Sequence, residues 1–331
     1  MLATLNLPSA ATLPAIPLIA RVRVHSAEEL RRALREARDR PLALDGSSLN
    51  CVLRSDEGQR LMEVQGAMSW SALAAWLGRS GEPLARWVAQ AHPPESIGRS
   101  VSLDSPAPDG LPLARYVESI ALVTLDGELR RVDRAREAPL FRLAVGGHGV
   151  FGLLYSVTLR SAELLRAAAA ATRPAESGAT TPEARRRCEV DALLPPEQAG
   201  DFLAATNALL AQRRLERIRI STRKLCRGAE TALSWARRDW TNVLVQFGRR
   251  ETLGASVHAA EVRRLLYAEA LARSGSFPAW SAPGVSRAQL ATCYPQLGEF
   301  IAEKRRYDPM ERLQNDWYRA VSGLMNRTPC L

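Results

Sequence analysis

The chain of 331 residues predicts an α+β fold. Three observations carry this. The N-terminal half reads helix, strand, strand, helix and then a run of strands, rather than a repeated strand–helix unit. Leu125-Asp126-Gly127 sits between two β-rich segments and marks an antiparallel hairpin. Apolar residues make up 46% of the chain, enough for a buried core in each of two ordinary domains.

The elements follow in order. Ser26 reads as the N-cap of the first helix, with Glu29 completing a capping box and Leu30, Leu34 and Ala37 forming the helical stripe. Pro41-Leu42-Ala43-Leu44 reads as a short strand and Asp45-Gly46-Ser47-Ser48 as a turn. Residues 59–65 predict a second strand, and 70–77 a helix capped by Ser69. Residues 120–124 and 128–132 form the Asp-Gly hairpin, and 153–159 alternate as a strand. Residues 161–187 are Ala-rich, then Pro/Ser/Gly/Thr-rich, then basic, and read as a linker. A second α+β unit follows. Its strands fall at 188–194, 217–225 and 241–247, and its helices at 195–213 and 257–274. The last helix carries Ala259, Val262, Leu266 and Ala270 on one face.

Composition excludes several classes. The net charge of +10 is arginine-borne, since Lys224 and Lys304 are the only lysines. Its densest run, Arg185-Arg186-Arg187, falls in an expected loop. No basic stripe with interleaved aromatics appears, so no nucleic-acid partner is expected. Cys51, Cys188, Cys226, Cys293 and Cys330 are odd in number and far apart, which argues against a disulfide framework or a zinc site and fits a cytoplasmic setting. Residues 2–20 are uncharged but lack a basic start, and Pro8, Pro14 and Pro17 break any apolar helix there. They read as an irregular lead-in, and no transmembrane segment is expected. His25, His92, His148 and His258 lie at no ligand spacing, so no metal is expected. Asp104 and Asp109 fall in a proline-rich loop and are expected to be solvated; Trp70, Trp76 and Trp87 read as core or helix anchors.

Three segments carry the functional signal: Ser96-Ile97-Gly98-Arg99-Ser100-Val101-Ser102-Leu103-Asp104, then residues 117–128, then Gly146-Gly147-His148-Gly149-Val150-Phe151-Gly152. Supporting pieces are Leu49-Asn50-Cys51-Val52-Leu53, Cys293-Tyr294-Pro295-Gln296, and the run from Lys304-Arg305-Arg306-Tyr307-Asp308-Pro309 to Asn315-Asp316-Trp317-Tyr318. In number, order and spacing these resemble the flavin-linked oxidases with a PCMH-type FAD-binding domain, in the aldonolactone and sugar-oxidase branch. The resemblance implies two α+β subdomains cradling FAD over residues 20–160 and a linker over 161–187. It also implies a smaller sheet-and-helix substrate domain over 188–300 and a C-terminal segment, 301–320, returning to the FAD domain. It implies hydride transfer from a sugar- or lactone-like alcohol to the flavin, and a small-molecule alcohol as partner. The cofactor residues it points to are Gly46, Ser47, Ser48, Ser96, Ile97, Gly98, Arg99, Ser100, Gly146, Gly147, His148, Gly149, Gly152 and Asn315; it assigns no catalytic residue.

The chain departs from that pattern. A diphosphate is held by backbone N–H groups that only glycines let it approach. Here Asp45-Gly46-Ser47-Ser48 runs straight into Leu49, so the family's first glycine-rich loop and its next strand look deleted. Arg99 stands in the second cradle, where it either clashes with FAD or pairs with a phosphate. The family's covalent flavin histidine has no counterpart, and residues 277–284 carry no cation. Three readings therefore stand: a working FAD-dependent oxidoreductase; a pseudoenzyme that lost FAD and binds a protein partner such as an intact paralogue; and a flavin-free enzyme, such as a cyclase, using the old cleft.

Overall fold

In the computed structural model, Ser26 caps the first helix through its Oγ, which accepts from Glu29 N at 3.1 Å. The Glu29 carboxylate reaches one residue further back than a capping box requires, to His25 N at 2.8 Å. The structure describes residues 21–36, 43–91, 93–94, 96–171, 175–177, 186–215, 217–249, 252–281 and 285–326. Ala37, Pro41, Leu42, His92, Arg185 and Cys330, used in the sequence reading, lie outside them. The chain divides into two units: Met1–Ala171 with Glu230–Ser234 and Gln296–Leu331, and Thr172–Ala229 with Trp235–Pro295. The class is α+β, as predicted.

The first unit begins with β1 (Arg21–Arg23), α1 (Ala27–Glu36) and β2 (Ala43–Asp45), the two strands pairing in parallel. Five further strands form an antiparallel sheet: β3 (Val52–Asp56), β4 (Leu61–Gln65), β5 (Val117–Val123), β6 (Leu129–Asp133) and β7 (Leu153–Arg160), in the order β3-β4-β7-β5-β6. The Asp-Gly hairpin joins β5 and β6. Gly127 takes φ +78°, and the Asp126 carboxylate accepts from Thr124 Oγ1 and Glu128 N. Helices α2 (Trp70–Trp76), α3 (Glu82–Ala91), α4 (Ile97–Leu103), α5 (Ala138–Ala144) and α6 (Ser161–Ala170) complete this part. Helix α6 occupies the first ten residues of the predicted linker. It is held because Leu164, Ala167 and Ala168 are buried against α3 and β4. Of the three tryptophans, Trp70 and Trp87 are core, whereas Trp76 is 53% exposed.

The second unit holds β8 (Ala175–Ser177), β9 (Arg186–Leu194), α7 (Ala199–Gln212), β10 (Arg217–Leu225), β11 (Trp240–Arg249), α8 (Leu253–Ala272) and α9 (Arg287–Cys293). Its sheet runs β8-β10-β11-β9, all antiparallel. Val243, Val245 and Phe247 pair with Ala192, Val190 and Cys188, and all six are buried on one face. Arg186 and Arg187 pair with Arg249 and Gly248, so this part of the basic run is strand rather than loop.

The C-terminal part of the first unit is α10 (Leu297–Tyr307) and α11 (Asp316–Asn326). Lys304 is fully buried and ion-paired with Asp308. The Asp308 carboxylate also accepts from Arg312 N and Leu313 N, each at 2.9 Å, so one side chain turns the chain between the helices. Arg312 then donates to Leu34 O and Leu125 O, joining this turn to α1 and to the hairpin. Breaking a buried pair on one side leaves an uncompensated charge. Asp308→Asn is therefore expected to cost about 3–5 kcal/mol in urea unfolding of the full chain; a loss below about 1 kcal/mol, the range of exposed pairs, would show the pair to be dispensable.

Candidate functional site

Residues 96–103, expected as a glycine turn, fold as the short helix α4 and its cap. Ser96 Oγ accepts from Arg99 N at 3.2 Å. Ile97 N donates to Met68 O and Gly98 N to Gly66 O, each at 2.8 Å. A Cβ on Gly98 would lie 2.5 Å from Gly66 O, and one on Gly66 would lie 2.7 Å from Leu154 O. Backbone packs on backbone here, and Trp70 Nε1 fixes the helix laterally by donating to the buried Ser100 Oγ at 2.8 Å. The same turn is bonded on its other side. Ala67 N donates to Leu49 O and Gln65 N to Cys51 O, both at 2.9 Å, while Leu49 N closes the Gly46-Ser47-Ser48 turn onto Gly46 O.

The C-terminal end of α4 holds the second glycine segment. Gly146 N donates to Val101 O at 2.9 Å and His148 N to Ser102 O at 2.8 Å, while Gly147 N turns back to Ala144 O at 3.2 Å. His148 takes φ +55° between Gly146 at +72° and Gly149 at +73°. Its buried ring stacks on Trp317 with centroids 3.7 Å apart and planes 3° from parallel. Asn315 Nδ2 donates to His148 O at 2.7 Å, and its Oδ1 caps α11 by accepting from Tyr318 N. Ser96, Ile97, Gly98, Arg99, Ser100, Gly146, Gly147, His148 and Asn315 thus fall in one bonded cluster. Burial, reinforced by the charge of Arg99, pushes the His148 pKa down to about 3, and its Nδ1 has no hydrogen-bond partner.

Asp104, expected to be solvated, is 1% exposed. It ends α4 in the left-handed region, φ 47°, which Asp tolerates better than most residues. Its carboxyl accepts from Ala114 N at 2.8 Å and from Thr231 Oγ1 at 3.3 Å. Burial pushes its pKa up to about 7. Asp109 is exposed and accepts from Tyr116 Oη, so the two carboxylates do not work as a pair. Thr231 carried no sequence signal. For Asp104, an Asp at the end of a helical stretch with no glycine to stop it is the signal that was available.

These residues do not fit FAD. The amides of Ile97, Gly98, Arg99, Gly146, Gly147 and His148 all donate within the protein. The space at Gly98 is taken by Gly66, at Gly147 by Leu143 O and at Gly152 by the Leu122 side chain. Gly98, Gly147 and Gly152 are thus used for packing, whereas Gly149, at φ +73°, has open space at its Cβ position. Between the β1–α1–β2 half and the antiparallel sheet, Leu30, Leu34 and Leu49 share one core cluster with Val123, against which Ala67, Leu153 and Tyr155 pack. Among the described residues no group of three or more His, Cys, Asp or Glu could hold a metal ion, and no helix is long and apolar enough to cross a membrane. Among the described residues Cys51, Cys188, Cys226 and Cys293 form no disulfide. No protein-family model matches the chain, and no curated protein matches it either.

Two outcomes follow from this packing. Gly98→Ala drives a Cβ into a backbone carbonyl and is expected to destabilise the chain by about 1–3 kcal/mol in urea; wild-type stability would mean that α4 is free to shift. His148 has a folded pKa below its unfolded value of 6.5, so its contribution is present above pH 6.5 and lost as pH falls towards 3. His148→Asn, which tolerates the same φ, is expected to flatten the stability–pH curve over that window, and an unchanged slope would place the proton elsewhere.

Proposed function

We propose that this chain has the fold of a PCMH-type flavin oxidase whose dinucleotide cleft is filled by its own backbone and side chains, and that it acts as a non-redox binding protein with a protein partner, such as an intact paralogue, in place of an alcohol substrate. The observation that carries the reading is the Gln65–Met68 turn, whose backbone is bonded to the segment after Gly46 on one side and to the first turn of α4 on the other. The amides that a diphosphate would use at Ile97, Gly98 and Arg99 are all committed. The order of elements in the first unit, a small parallel β-α-β piece followed by a five-stranded antiparallel sheet and a C-terminal return, supports the family part of the reading. The place on the first unit where such a partner would be sought is a shallow, open surface depression lined by Arg305, Pro309, Met310, Glu311 and Gln314, where Met310 is 81% exposed.

The test is the absorption spectrum of the purified chain before and after excess FAD and desalting. The expected result is a colourless protein that takes up no flavin; stoichiometric flavin bands overturn the reading. Arg99→Gly is expected to stay colourless as well, because the Ile97 and Gly98 amides and the Leu30–Leu34–Leu49–Val123 contact are untouched. Flavin uptake by that variant would make Arg99 alone the barrier.

A further inference from the structure

Helix α8 carries apolar residues on two sides. Its inner side, Ala259, Val262, Leu266, Tyr267 and Ala270, is buried, and the helix packs on β9 and β11 and against α7. Its outer side recurs at spacings of three and four residues through Leu253, Val257, Ala260, Arg264, Ala268 and Leu271, with Glu261 beside Arg264. Leu253 is 84% exposed and Val257 63%. Ala260 and Arg264 are exposed as well, and Glu261, Ala268 and Leu271 are half-buried. A helix that is apolar all round is ordinarily covered all round, and this one is covered on its inner side. The spacing is that of a seam between two helices, and Ala260 and Ala268 let a second helix approach closely.

We propose that the outer side of α8 is the contact for a second copy of this chain, with the two helices antiparallel about a two-fold axis level with Val262 and Arg263. The charges select this occupant. Glu261 and Arg264 lie symmetrically about that axis, so Glu261 of each copy meets Arg264 of the other and two ion pairs form. In the same register Val257 meets Ala268, a larger residue against a small one, and Leu253 meets the Leu271–Ala272 end. Parallel helices would instead set Glu261 beside Glu261 and Arg264 beside Arg264, like charge against like. The face is thus complementary to itself, as a two-fold contact requires. Glu261 pairs through Oε1 with Arg213 Nη1 at 3.3 Å, and 43% of its side chain stays open for the second copy. One helix face lies at the small end of specific interfaces, so the dimer is weak and depends on concentration. The inference stands independently of the flavin reading.

Sedimentation equilibrium of the full chain from about 1 to about 200 µM reads the contact. A monomer–dimer equilibrium with a dissociation constant of about 10–100 µM is expected. Val257→Lys buries a charge in the seam and is expected to raise that constant about tenfold or more, with an unchanged far-UV spectrum because the position is open in the single chain. Arg264→Glu sets like charges together across the axis and is expected to weaken the dimer about tenfold, and adding Glu261→Arg is expected to restore it. A chain that stays monomeric throughout, or a dimer that either single variant leaves intact, overturns the proposal. A double variant that does not recover overturns the antiparallel pairing. A monomer that binds phosphatidylcholine vesicles, and loses them with Val257→Lys, would give the face to a membrane and overturn the proposal as well.

Discussion

The contact of Gly98 with Gly66 is the constraint on which the first unit depends. Neither residue has room for a side chain, and each amide–carbonyl bond there joins one backbone to another. With the first turn of α4 fixed on the Gln65–Met68 turn, its last carbonyls, Val101 and Ser102, are fixed too, and they set the glycine segment at 146–148. That segment in turn receives Asn315 and Trp317 from the C-terminal end of the chain. Residues more than two hundred positions apart are thereby registered on one close approach.

The same chemistry explains why a cofactor signature and a packing signature look alike in sequence. A glycine that admits a diphosphate oxygen to a backbone amide also admits a neighbouring carbonyl. At Gly98 and Gly147 the carbonyls of Gly66 and Leu143 are there already. Fold and function separate at this level: the elements persist while the donors are committed elsewhere.

Buried ionisable groups set opposing demands on the first unit. His148 is held neutral and refuses a proton that it would bind in the unfolded chain, whereas Asp104 keeps one that it would lose. Between about pH 4 and 6.5 the two proton balances oppose each other, so their joint effect on stability is smaller than either alone. The Lys304–Asp308 pair is different in kind. Its two charges are compensated by each other and by the amides of Arg312 and Leu313, and they serve to close the turn between α10 and α11.

Much of the fold was legible in sequence because local chemistry sets it. The Ser26 and Ser69 caps and the Asp126-Gly127 hairpin rest on interactions within a few residues, and strand β10 at residues 217–225 and the buried stripe of α8 follow the local spacing of their apolar residues. Sequence also marked Ser96–Ser100, Gly146–Gly149 and Asn315 as belonging together. It could not say what fills the space between them, because hydrogen bonds from Ile97 and Gly98 to Met68 and Gly66 are not encoded in any local pattern. Helix α6, read as linker, is fixed by burial against α3 and β4, and Asp104 is buried by residues 114 and 231. Sequence determined which segments form and which meet. Tertiary structure decided which amides stay available, since each donor serves one strong acceptor and a distant carbonyl can take it first.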